Sequence, residues 1–128
     1  MARRAIASDD APKALGPYSQ AVVSDPFVFL AGQTPVDPAT GQLVDGGITE
    51  QAEQVFANLT AVLVEAGLSL DDVVKVNVYL TDIANDFAAL NAVYATKFSA
   101  PYPARTTVCV AGLPMGACVE IEMVARRP

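Results

Sequence analysis

The chain has 128 residues, 52% hydrophobic and 17% charged, with a net charge of −6. This length suits one domain spanning residues 1–128, and so rich an apolar supply favours burial between copies of the chain as well as inside each. The acidic balance argues against a nucleic-acid partner, and the absence of histidine removes the commonest general base and the commonest zinc ligand.

Arg3 and Arg4 are followed by only a short apolar run before Asp9 and Asp10. That run is too short for a secretory signal, and no segment approaches the length of a membrane span. The cytoplasm is the expected location, with no membrane partner. No metal site is expected. The two cysteines, Cys109 and Cys118, match no redox spacing and read as small buried hydrophobic residues. They would be neighbours only if their strands pair.

In chain order, a short leading strand is expected near residues 4–7. Residues 19–24 and 27–33 read as two strands joined at Asp25-Pro26, a hairpin. Residues 37–47 form a polar loop rich in turn residues. A helix starts near Thr49 as N-cap, with Glu50 in its first turn. Ala52, Val55, Phe56, Leu59, Val62, Leu63 and Ala66 recur at three- and four-residue steps, and Gly67 stands where a left-handed cap would end the helix.

Residues 73–81 alternate strictly. Val74, Val76, Val78 and Leu80 take one face, and Lys75, Asn77, Tyr79 and Thr81 the other. A second helix runs from Asp82 or Ile83 to Phe98, with Ile83, Phe87, Leu90, Tyr94 and Phe98 as its buried stripe and Asn91 on or beside it. Pro101 and Pro103 prevent continuation. Strands at 104–110 and 118–125 close the chain. This order predicts a two-layer α+β domain, one sheet covered by two helices. Val22, Val28, Leu30 and Val108 make the uncovered face too apolar to be wholly wet.

Arg105 is the single charge between Phe98 and Val119. It reads either as a structural arginine paired with a carboxylate of the chain or as an anion clamp. The guanidinium fork matches a carboxylate through two parallel hydrogen bonds. Alternation places Arg105, Thr107 and Cys109 on one side of their strand. Glu120 and Glu122 share one face of the last strand. They form either a solvated face or a functional pair, one of which meets Arg105 or positions a water. Tyr18 in GPYSQ and the segment AGQTP, containing Ala31 and Gly32, are by themselves only turn and strand-end signals.

Taken together and in order, GPYSQA at 16–21, AGQTP at 31–35, NDFAALNAVYATKF at 85–98, PARTTV at 103–108, LP at 113–114 and VEIEMVA at 119–125 resemble the RidA (YjgF) family of imine deaminases over nearly the whole chain. The resemblance implies a chorismate-mutase-like α+β fold, a homotrimer and ligand clefts between subunits. It implies hydrolysis of reactive 2-imino and 2-enamino acids, such as 2-iminopropanoate and 2-iminobutanoate, to 2-keto acids and ammonia, with no cofactor. Such substrates are released by pyridoxal-phosphate-dependent dehydratases. By the same resemblance Arg105 holds the substrate carboxylate and Glu120 places the attacking water, while Tyr18, Ala31, Gly32, Asn91 and Thr107 line the cleft. Many relatives have cysteine at Thr107 and serine or another small polar residue at Ala31. These departures bear on the substrate more than on the reaction class. A keto-acid-binding protein without turnover and an RNA-acting protein are the competing classes, the latter opposed by the acidic charge.

Overall fold

A computed structural model describes residues 3–128. The elements are β1 (Arg4–Ile6), β2 (Ala21–Ser24), β3 (Phe27–Gln33), α1 (Ile48–Glu65), β4 (Val73–Leu80), α2 (Ile83–Ala95), β5 (Ala104–Cys109) and β6 (Val119–Arg126). The strands form one mixed sheet in the order β1-β2-β3-β6-β4-β5. Only β4 and β5 run parallel, and α2 makes the crossover between them. Both helices cover one face, as the element order predicts.

The buried layer is the meeting of α1 with that face. Ala52, Val55, Phe56, Leu59, Val62 and Leu63 of α1 pack against Val28 and Leu30 of β3, Val76, Val78 and Leu80 of β4, and Val119, Ile121 and Met123 of β6. The ends of α1 are chemically defined. Its N-cap is Gly47 rather than Thr49, and the Glu50 carboxylate accepts from the Gly47 N–H at 2.8 Å. At the other end Gly67 takes φ +77°. Leu68 N–H then reaches Leu63 C=O at 2.8 Å and Gly67 N–H reaches Val64 C=O at 2.9 Å, which satisfies carbonyls the helix leaves open.

Several expectations need correction, and one open condition is settled. Val28 and Leu30 lie on the covered face, not the open one. The open face instead shows Phe27, Phe29 and Val108. Val74 is exposed because a bulge between Val73 and Lys75 interrupts the alternation of β4. Helix α2 ends at Ala95, where the Thr96 hydroxyl donates to Val93 C=O at 2.6 Å, although Phe98 still packs on Tyr94 and Phe56. Finally, β5 and β6 do not pair. Strand β4 lies between them, so Cys109 and Cys118 sit about two strand spacings apart, roughly 9–10 Å. That exceeds the reach of a disulfide, and both thiols are free; neither is buried as expected, since Cys109 on the edge strand is exposed and Cys118 is half-buried.

Among the described residues no helix is long and apolar enough to cross a membrane.

One buried polar residue ties this core to the loops above it. Asn58 of α1 is fully buried. Its amide donates to Thr34 C=O at 3.2 Å and Val36 C=O at 2.9 Å, and its carbonyl accepts from Gln54 at 2.8 Å. Asn58→Ala leaves two loop carbonyls unmatched, at a cost of about 1–3 kcal/mol. Thermal unfolding should show a midpoint lowered by roughly 4–10 °C, and an unchanged midpoint would contradict this role.

Candidate active site

The seven residues singled out from the sequence fall into two groups on opposite faces of the sheet. The first is built on β5 and α2. Arg105 lies directly opposite Val76, and Thr107 opposite Val78. Both valines are fully buried under the helices, so Arg105 and Thr107 share the helix side, at the sheet edge. Arg105 Nη1 donates to Asn91 Oδ1 at 2.7 Å. The guanidinium stands 4.6 Å from the ring centre of Tyr94 and 5.8 Å from that of Phe87. Phe87, expected in the buried stripe of α2, is instead partly exposed.

The structural alternative for Arg105 required a carboxylate. Among the described residues the ion pairs are Lys97–Glu53 and Arg127–Asp25, and Arg105 takes part in neither. Its one side-chain hydrogen bond goes to a neutral amide, and its stacking partners are neutral rings. Beside it, the buried hydroxyl oxygens of Thr107 and Tyr94 have no hydrogen-bond partner. A cation with unused donors next to unpaired hydroxyls is suited to a carboxylate from outside the chain.

The second group lies on the open face. Glu120 is opposite Tyr79, and Glu122 opposite Asn77. Neither glutamate meets Arg105, since the sheet lies between them. A bulge in β3 between Leu30 and Gln33 brings Ala31 and Gly32 beside β6. A methyl group on Gly32 would overlap the Glu120 carboxylate. The glycine therefore lets this carboxylate lie against the backbone of β3.

Glu120 borders a cavity of about 820 Å³, also lined by Tyr18, Ala31, Gly32, Lys13 and Met115. This is within the range of small-molecule sites. Met115 holds φ +60° there, a left-handed conformation unusual for a side chain of its size. Burial, and then the charge of Glu122, raise the pKa of Glu120 above the usual carboxylate range. A carboxyl group so placed can hold or release a proton closer to neutrality than a free one.

Sequence reasoning missed the residue that builds the cavity wall. Gln20 is buried. It accepts from Ser8 N–H at 2.6 Å and donates to Pro12 C=O at 2.8 Å and Ser8 C=O at 3.2 Å. It thereby fixes the segment that carries Lys13 and Tyr18. Its place at the end of GPYSQ was the only signal, and a lone glutamine before a strand gives no direction. Tyr18 itself is half exposed, and its hydroxyl oxygen lies 3.3 Å from Leu15 N–H.

These features define an α+β domain with a guanidinium that has unused donors at a sheet edge and a carboxyl group that faces a cavity on the open face. The family model described as Endoribonuclease L-PSP matches residues 8–127. The chain belongs to this family, the RidA/YjgF family. A goat protein named 2-iminobutanoate/2-iminopropanoate deaminase is 48% identical, covering 98% of this chain and 90% of that one. The crystal structure of RidA from a Psychrobacter species superposes with a TM-score of 0.91 at 50% identity, covering 96% of this chain and 98% of that one. That of E. coli TdcF with bound serine gives 0.92 at 42% identity, covering 98% and 99%.

Gly32→Ala tests the placement of Glu120. The end of the glutamate side chain can move, so stability should stay within about 0.5 kcal/mol. The displaced carboxyl gains solvent, and its pKa should fall back toward the ordinary range. A ¹³C NMR titration of Glu120 reads this directly. An unmoved midpoint would show that the carboxylate does not depend on the glycine.

Proposed function

We propose that this chain hydrolyses 2-imino acids and their enamine tautomers, such as 2-iminopropanoate and 2-iminobutanoate, to 2-keto acids and ammonia. It would do so as a single-domain homotrimer, in clefts where the Arg105 face of one copy meets the Glu120 face of the next. The observation that carries this reading is Arg105, a guanidinium without a carboxylate partner among the described residues. The goat relative's name supplies the reaction, and the serine bound by TdcF supplies an amino acid of the right size, with a carboxylate.

The chemistry asks little of the protein. An imine carbon is already electrophilic, so the site has to hold the carboxylate and aim a water. Arg105 binds the substrate carboxylate through its fork, with Asn91 and the Tyr94 ring fixing the guanidinium. The Thr107 hydroxyl is free to add a hydrogen bond. Glu120, as carboxylate, takes a proton from water as the oxygen bonds to the imine carbon. It then returns the proton to nitrogen. The product is a neutral carbinolamine; the Glu120 carboxylate next takes its hydroxyl proton and passes it to nitrogen as the C–N bond breaks, so ammonia leaves and the carbonyl remains. Every proton is accounted for by water and the carboxyl group, so no cofactor is needed.

Assembly follows from the split site. The two half-sites are different surfaces of one chain, and joining them between copies is a heterologous contact, which makes a ring such as a trimer where the rotation closes. The open face also exposes Phe27, Phe29 and Val108, an apolar surface fit for burial. Pyridoxal-phosphate-dependent dehydratases are the expected source of substrate, and the cytoplasm the expected place. A net charge of −6 disfavours nucleic acid as the ligand.

Threonine dehydratase with threonine generates the imine in situ, and keto-acid release is followed with and without this protein. The wild type should accelerate release. Arg105→Ala should lower kcat/KM by about 10- to 100-fold, the worth of a charged hydrogen bond. Binding of 2-ketobutyrate without acceleration would replace the enzyme by a keto-acid sensor. Full activity in a folded Arg105→Ala protein would refute the clamp.

A further inference from the structure

The open face carries a polar cluster that the reaction above does not use. The Tyr79 hydroxyl donates to Glu122 Oε1 in a short hydrogen bond, and Asn77 Nδ2 lies 3.4 Å from the same oxygen. Tyr79 is the cross-strand neighbour of Glu120, and Asn77 that of Glu122. So the two carboxylates alternate along β6, and β4 supplies a hydroxyl and an amide to the outer one. Glu122 is thereby fixed, while no side-chain hydrogen bond to Glu120 is present among the described residues. The asymmetry is chemical: one carboxylate is tied to the sheet, and the other, over Gly32, is left facing the cavity.

We propose that Tyr79 and Glu122 form a positioning pair that orients and tunes the Glu120 carboxylate, without touching substrate themselves. The inference rests on the reading of Glu120 as the residue that handles the water. A fixed negative charge two residues away on the same face makes ionisation of Glu120 harder. The Tyr79 hydroxyl partly neutralises that charge by its hydrogen bond. The two members of the pair therefore act on Glu120 in opposite senses. The direction found for Glu120 agrees: burial raises its pKa first, and Glu122 adds to it. Tyr79 is held protonated, its pKa raised chiefly by the bond to Glu122, so it remains a donor.

The remaining titratable groups around Glu120 come from the far wall of the cavity, namely Lys13, Asp9 and Tyr18. Neither helix contributes one, because both lie across the sheet. Nothing on that wall reproduces the paired arrangement of β4 and β6. An ordinary cross-strand pair would stabilise the sheet and no more, so the two roles separate experimentally.

The test is a ¹³C NMR titration of the Glu120 carboxyl in glutamate-labelled protein, assigned with Glu120→Gln, in wild type, Tyr79→Phe and Glu122→Gln. Removing the charge in Glu122→Gln should lower the Glu120 midpoint. Removing the hydroxyl in Tyr79→Phe should raise it. Each shift should be about half a pH unit or more, which is about a threefold change in the ionised fraction below the midpoint. The acid limb of the kcat profile for imine hydrolysis should move with it, with KM little changed. Midpoints that coincide with wild type, or that both move the same way, would overturn the proposal. So would opposite shifts in the titration that leave the kcat profile of an active enzyme in place. Each substitution replaces one polar group by a near-isostere, so folded protein is expected for both. If the wild type hydrolysed no imine, the proposed function would fall, while the titration would still decide whether the pair governs Glu120.

Discussion

The site is governed by the position of one strand. Because β4 lies between β5 and β6, Arg105 and Glu120 are set against different residues of it, Val76 and Tyr79. These differ by an odd number, and side chains alternate along a strand. The arginine therefore goes to the helix side and the glutamate to the open side. No rotamer of either side chain brings them together through the sheet. A cleft that uses both needs a second copy of the chain, and the apolar open face offers the surface for it.

Each half-site then depends on a local device that relieves a conflict. Arg105 sits near a buried layer, where an unpaired charge is costly. It tolerates this by lying at the edge, against the faces of Tyr94 and Phe87, with one hydrogen bond to Asn91. Glu120 faces another carboxylate on its own strand. It tolerates this because Glu122 is occupied by Tyr79 and Asn77, and because the β3 bulge at Gly32 makes room for it. Gln20 and Asn58 meanwhile hold the loop walls from behind through buried amides. The cavity is thus a product of backbone pinning more than of the side chains that line it.

Much of the architecture was legible in the chain, and the reasons for the rest are specific. The apolar face of α1 is long and regular, and every residue assigned to it is buried. Gly67 ended the helix as its position suggested, since few other residues accept that conformation. The bounds of β3 followed from the turn signals around it, and those of β4 from alternation. Strand order did not, because periodicity carries no information on which strands neighbour one another. That omission accounts for the misplaced faces of Val28 and Leu30, and it left open whether Cys109 and Cys118 are neighbours and whether a glutamate of the last strand meets Arg105 or positions a water. Arg105 stood out as a lone charge, and the ordered motifs supplied its role. Gln20 and Asn58 did not stand out, because a buried amide is recognised only from the carbonyls it reaches.

The central claim is that the half-sites of two copies combine. Mixing Arg105→Ala with Glu120→Gln chains, each strongly impaired alone, and refolding them together tests it directly. In a ring with random assembly about one cleft in four should draw an intact Arg105 from one chain and an intact Glu120 from its neighbour. Imine hydrolysis should return to about a quarter of the wild-type rate. Mixed assemblies no more active than the two parents would contradict the account and place both residues' work within a single chain.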